Sequence, residues 1–173
     1  MNLPGLLIEY LINGAIALIW LSQISIFSTL TAVSATGMEI VLIPIAYVIG
    51  MFIDYIAWFL TRPVKGFIRS KVRDELAHEL SFASDDYKDR WTDKLKIETD
   101  YANLSKQLES KSSRDRIARG TIINLILINV FFWSSIHVYG LVLIFLAFCM
   151  WWKFEKQNYS YEVRAAHLLR TKN

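Results

Sequence analysis

Met38-Glu-Ile-Val-Leu-Ile-Pro-Ile-Ala-Tyr-Val-Ile-Gly-Met-Phe-Ile-Asp-Tyr-Ile-Ala-Trp-Phe-Leu-Thr61 decides the fold of this chain. The run holds two carboxylates, Glu39 and Asp54, and no Lys or Arg. As a helix it rises about 36 Å, enough to cross roughly 30 Å of hydrocarbon with some tilt. Two further apolar stretches flank it, Leu3 to Thr31 before it and Gly120 to Trp152 after it. The chain has 173 residues, 54% of them apolar and 20% charged, and the charges are segregated. All 19 Lys and Arg lie in two blocks, 14 between Arg62 and Arg119 and five between Lys153 and Lys172. Residues 1–61 and 120–152 carry three acids, Glu9, Glu39 and Asp54, and no Lys or Arg. Long, nearly uncharged runs of this kind are bilayer spans, which excludes a soluble globular protein. The expected fold is all-α, with four transmembrane helices in two hairpins.

The expected organisation is a first hairpin over 1–61, a charged helical connector over 62–119, a second hairpin over 120–152 and a tail over 153–173. The first span is expected to be permanent, because no Lys or Arg precedes it and it exceeds a signal-peptide core. Within 120–152 the stretch Ser134 to Gly140 reads as the turn, leaving each span about 15–16 apolar residues, or about 24 Å. Arg119 and Lys153 could snorkel to add length. A re-entrant hairpin is the alternative. Positive charge marks the cytosolic side. The uncharged loop 31–37 and the turn near His137 therefore face outward, and both termini and the connector face the cytosol of a cell inner membrane. Trp58, Trp151 and Trp152 at one end, with Trp133 and Tyr139 at the other, fit interfacial belts. The sequons at Asn103 and Asn158 fall on the cytosolic side. Cys149 is the one cysteine, so no intrachain disulfide or thiol cluster forms.

In the connector, Val64, Phe67, Ile68, Val72, Leu76 and Leu80 make one apolar stripe, with Lys65, Arg69 and Arg73 on the remaining surface. Pro63 fits the first turn of a new helix. Ser81 to Asp86 reads as a break, and a second helix is expected from about Tyr87 to Ser110. Its apolar positions Trp91, Leu95, Tyr101, Leu104 and Leu108 are the expected docking surface for a partner or sister subunit, the alternative being a solvated spacer folded on itself. In the tail, Ser160 reads as a cap, and the segment lies on the membrane or packs on the connector.

Asp54 lies seven residues inside Thr61, about 10 Å deep, and Glu9 lies six residues inside Leu3, about 9 Å deep from the same side. Buried acids demand partners or an aqueous cavity. Tyr47, Gly50, Asp54 and Trp58 share a face expected to look inward. Asn13, Asn124 and the cations Arg116 and Arg119 complete an inner-leaflet polar layer. It reads either as interhelical glue or as a cation or proton site. No metal ligand set, phosphate loop or nucleophile motif occurs, so no cofactor, metal or enzymatic chemistry is expected. Arg73 and His78 have the spacing of HEPN ribonucleases, without the second motif that fold needs. The basic pI of 9.0 belongs to membrane-proximal segments and requires no direct nucleic acid.

In span order, and in the arginine-flanked Ser113-Arg-Asp-Arg-Ile-Ala-Arg119, the chain resembles small four-span bacterial membrane proteins, including membrane components of anti-phage systems such as the Kiwa membrane subunit. The resemblance implies a homo-oligomer bound to a cytosolic protein, and assigns no functional residue. Two functions are therefore expected to compete: a scaffold or sensor docking an effector through 62–119, and an oligomeric ion or proton pore using Glu9 and Asp54.

Overall fold

The computed structural model describes residues 3–24, 39–81 and 101–171. Among them the fold is all-α, with four helices: α1 Leu3–Leu21, α2 Glu39–Leu80, α3 Ala102–Phe131 and α4 Trp133–Thr171. Two helices have windows long and apolar enough to cross a membrane, within Leu42–Leu80 and Val138–Leu168, and Gly5–Leu21 is a shorter apolar helix.

The helices run further than the sequence reading expects. Pro63 lies inside α2 rather than starting a new helix. Proline leaves the carbonyl four residues earlier without its usual donor. The buried row nevertheless continues across it, from Ile53, Ala57 and Thr61 to Ile68, Val72 and Leu76. Ser110 does not end the second connector helix, because α3 carries on through Lys111-Ser-Ser113 into the apolar block. Ser160 is interior to α4 and caps nothing. The bend of the last apolar block lies at Phe132, and Ser134 to Gly140 is helical. That segment has one glycine and no proline, and its two serines fall in the first turn of α4, where hydroxyls are tolerated. The apolar part of α3 after Arg119 is consequently only residues 120–131, about 18 Å, whereas residues 133–152 of α4 supply about 30 Å. The break expected at Ser81 begins there, with φ 55° at the end of α2, the left-handed conformation common at helix C-termini.

Packing divides the chain into two units, the first drawn from 1–61 and 115–151 and the second from 62–114 and 152–173. In the first unit, α1 and α2 touch backbone to backbone. A Cβ at Gly14 would overlap the Ala46 carbonyl, and one at Gly50 the Tyr10 carbonyl. Pairing 14 with 46 and 10 with 50 makes these two segments antiparallel. Asn124 Nδ2 donates to the Asn13 carbonyl at 2.8 Å and Trp20 Nε1 to Asn124 Oδ1 at 3.1 Å. Glu9 pairs with Arg116, Asn13 lies against Gly120 and Trp20 stacks on Phe131, so the paired numbers rise together and the 115–131 segment of α3 runs parallel to α1. An apolar cluster of Ala17, Leu21, Ile53, Ala57 and Ile123 joins all three.

The second unit contains the other halves of α2, α3 and α4. Ile68, Val72 and Leu76 of α2 are buried, as are Tyr159, Val163, Ala165 and Ala166 of α4. Phe67, expected in the stripe, is instead exposed and tilts against Trp152 with ring centroids 6.2 Å apart. Arg69 and Lys65 are half-buried and reach Glu155 of α4, at 2.6 and 2.9 Å. Lys156 pairs with Glu75 and Arg164 with Glu79, each at 2.9 Å. Tyr161 donates to Gln107 of α3, and the Lys111 ammonium lies 3.5 Å from the Tyr161 ring centre. The tail thus packs on the connector.

Candidate functional site

The acids that the apolar runs isolate meet their cations in the first unit. Glu9 of α1 accepts from Arg116 Nε at 2.5 Å and from its Nη2 at 3.3 Å. Asp54 of α2 accepts from Arg119 Nε at 3.0 Å and Nη2 at 2.8 Å. The arginines are three residues apart on α3, so one turn of one helix grips two others. Arg119 does not snorkel: it is 6% exposed and faces inward.

Two members of this layer were not expected from sequence. Asp115, 2% exposed, lies one turn before Arg119 with its Oδ2 3.6 Å from Arg119 Nη1. Trp151 of α4 is completely buried and donates from Nε1 to Asp115 Oδ1 at 2.8 Å, so it is an interior partner and not a belt residue. The i, i+4 spacing of Asp115 and Arg119 was the available signal. Its position in a charged segment hid it. Together the five charged groups comprise three carboxylates and two guanidinium ions, contributed by three helices and touched by the fourth.

One turn above Glu9, Asn13 is completely buried against Gly120, and its side-chain amide makes no hydrogen bond among the described residues. Asn124, also fully buried, bridges α1 and α3 as described. Trp58 departs from the expected inward face, being 41% exposed; the buried row is Ala46, Gly50, Ile53 and Ala57.

The expected docking surface is described only in part. Trp91 and Leu95 lie outside the described residues, as does the loop 31–37. Tyr101 is exposed, and Leu104 and Leu108 are half-buried. A second buried charge site in the second unit was missed from sequence. Glu155 is completely buried among Lys65 and Arg69, and follows Trp151 by one helical turn. Burial opposes the charge of Arg69, yet the Glu155 carboxylate holds the guanidinium above its ordinary pKa. Burial pushes the Lys111 amine down, with Arg114 adding to it. Arg73 is half-buried and His78 exposed. Among the described residues no group of three or more His, Cys, Asp or Glu could hold a metal ion.

No family model matches the chain, and neither the curated proteins nor the solved structures contain a match.

Proposed function

We propose that the chain is a non-enzymatic, multi-pass protein of the cytoplasmic membrane that oligomerises and docks a cytosolic effector through residues 62–119, acting as a scaffold or sensor. One observation carries its membrane location. In the first unit Glu9, Asn13, Asp115, Arg119 and Asn124 are buried, while Ile8, Phe52, Tyr55, Phe59, Phe145 and Met150 are each more than half exposed. Water would favour the reverse, and hydrocarbon accepts this arrangement. Four crossings follow in this reading: α1, residues 39–61 of α2, 115–131 of α3 and 133–152 of α4. The short apolar part of α3 gains length because its charged turn is paired inside the bundle, which brings the span to about 26 Å. Lys and Arg on 62–114 and in the tail put both termini in the cytosol.

The sensing step would act on the charge layer. Breaking a buried ion pair costs several kcal/mol, so the layer favours one arrangement until tilt or thinning of the bilayer strains it. The resemblance in span order to anti-phage membrane subunits makes antiviral defence the setting to test first. In co-purification from mild detergent, Trp91→Ala with Tyr101→Ala is expected to release the cytosolic partner while the chain still inserts and oligomerises. Unchanged co-purification would remove the docking proposal.

A second reading, an oligomeric proton or cation pore, is favoured by the surplus of one carboxylate in the layer and by the unpartnered Asn13 amide beside it. Asp54→Asn would then abolish ion flux in reconstituted vesicles and leave partner recruitment intact.

A further inference from the structure

We propose that the second unit binds the headgroup of an anionic phospholipid in the pocket between α2 and α4 lined by Ile68, Lys71, Val72, Glu75, Trp152 and Lys156. The proposal rests on the membrane location argued above. The pocket has a volume of about 50 Å³, the size of a phosphate-like end group and far too small for a whole lipid. Lys71 is exposed at its edge. Lys156 holds Glu75 at 2.9 Å, with the two side chains 50% and 47% exposed. A half-exposed pair of this kind is weak, so Lys156 can exchange a carboxylate for a phosphate oxygen without stranding a buried charge.

Local composition has the sign such a ligand needs. Residues 62–75 and 152–156 contain seven basic and three acidic side chains. One of those acids, Glu155, is already engaged by Lys65 and Arg69. The surroundings also favour a lipid over a soluble anion. The exposed Phe67 ring tilts against Trp152 beside the pocket, an apolar and aromatic surface suited to the glycerol and upper acyl region. In sequence Lys156 stands four residues past the apolar run that ends at Trp152, and Lys71 ten residues past the run that ends at Thr61, about 6 and 15 Å along a helix. A zwitterionic choline head would bring its own cation toward Lys71 and Lys156, so the site prefers a net negative lipid.

The test uses the full-length protein reconstituted in vesicles of equal phosphatidylglycerol and phosphatidylcholine, extracted in mild detergent and weighed by native mass spectrometry. Phosphatidylglycerol is expected to be retained preferentially. Lys71→Gln with Lys156→Gln should lower that retention more than tenfold, at roughly fivefold per lysine. Glu75→Gln, which frees Lys156, should raise it, a direction that misfolding cannot mimic. Lys106→Gln, away from the pocket, should leave it unchanged. Equal retention of phosphatidylcholine, or no loss in the double variant, would overturn the proposal. Displacement of the lipid by millimolar inorganic phosphate would make this a soluble-anion site and overturn it equally. Alkaline extraction from pure phosphatidylcholine vesicles separates the two readings: release of the protein refutes the membrane location, whereas firm retention without lipid preference refutes the lipid site alone.

Discussion

Arg119 is the residue on which the charge layer turns, because it serves two carboxylates while Arg116 serves one. Arg119→Met would leave Asp54 and Asp115 without their shared cation, Asp115 keeping its bond from Trp151, whereas Asp54→Asn leaves Arg119 with Asp115. Removing one member of a buried pair costs about 3–5 kcal/mol. Arg119→Met should therefore lower the melting temperature in detergent more than Asp54→Asn does, and Asp54→Asn should partly rescue Arg119→Met. Equal effects of the two single substitutions, with no rescue, would mean that the pairs contribute independently. Glu9 and Asp54 were legible in the sequence because an acid in a long apolar run is costly and demands a cation, and the nearest cations were Arg116 and Arg119. Asp115 and Glu155 were not, since each lies in a segment already rich in charge, where sequence cannot distinguish a solvated carboxylate from an interior one.

At the scale of the helix, close approach and surface pairing make separable predictions. Gly14 and Gly50 bring α1 and α2 into backbone contact, so Gly14→Leu or Gly50→Leu should separate the helices and abolish the folded state. Gly66 has nothing within 4 Å of a Cβ. There Gly66→Ala should stabilise by roughly 0.5–1 kcal/mol through helix propensity, measured by denaturation in detergent. The Glu75 to Lys156 bridge gives a pH test. The hydrogen bond from Lys156, with its charge, holds the Glu75 carboxyl below its ordinary value of 4.5. A carboxyl depressed in the folded state stabilises above its unfolded pKa, and loses that contribution as pH falls through the folded value. The difference in melting temperature between the parent chain and Glu75→Gln should thus be constant near neutrality, shrink as pH falls below 4.5 and vanish once pH is below the depressed folded value. A difference that grows on acidification would contradict the assignment. The helix ends were the least legible feature. Local signals such as Pro63 and Ser160 are overridden by a buried row continuous on both sides of them, and Ser134 to Gly140, polar enough for a turn, continues into the long apolar helix that follows.

For the whole molecule, the central question is which solvent surrounds the first unit. The segregation of charge made an all-α chain with long apolar helices readable directly, and the isolated acids Glu9 and Asp54 pointed to the layer. Which face of each helix turns outward was not readable, because apolar residues cover nearly the full circumference and periodicity loses its contrast. The structure supplies that face: Phe52, Tyr55 and Phe59 of α2 point outward, and Ile53 and Ala57 inward. The most direct measurement is spin labelling at single cysteines at these five positions, in a Cys149→Ser background, with the protein reconstituted in vesicles. Frequent collisions with oxygen dissolved in the bilayer are expected at 52, 55 and 59, few at 53 and 57, and negligible collisions with a water-soluble nickel complex at all five. Strong nickel collisions at 52, 55 and 59 would show that this surface meets water, and would contradict the membrane reading on which the proposed function stands.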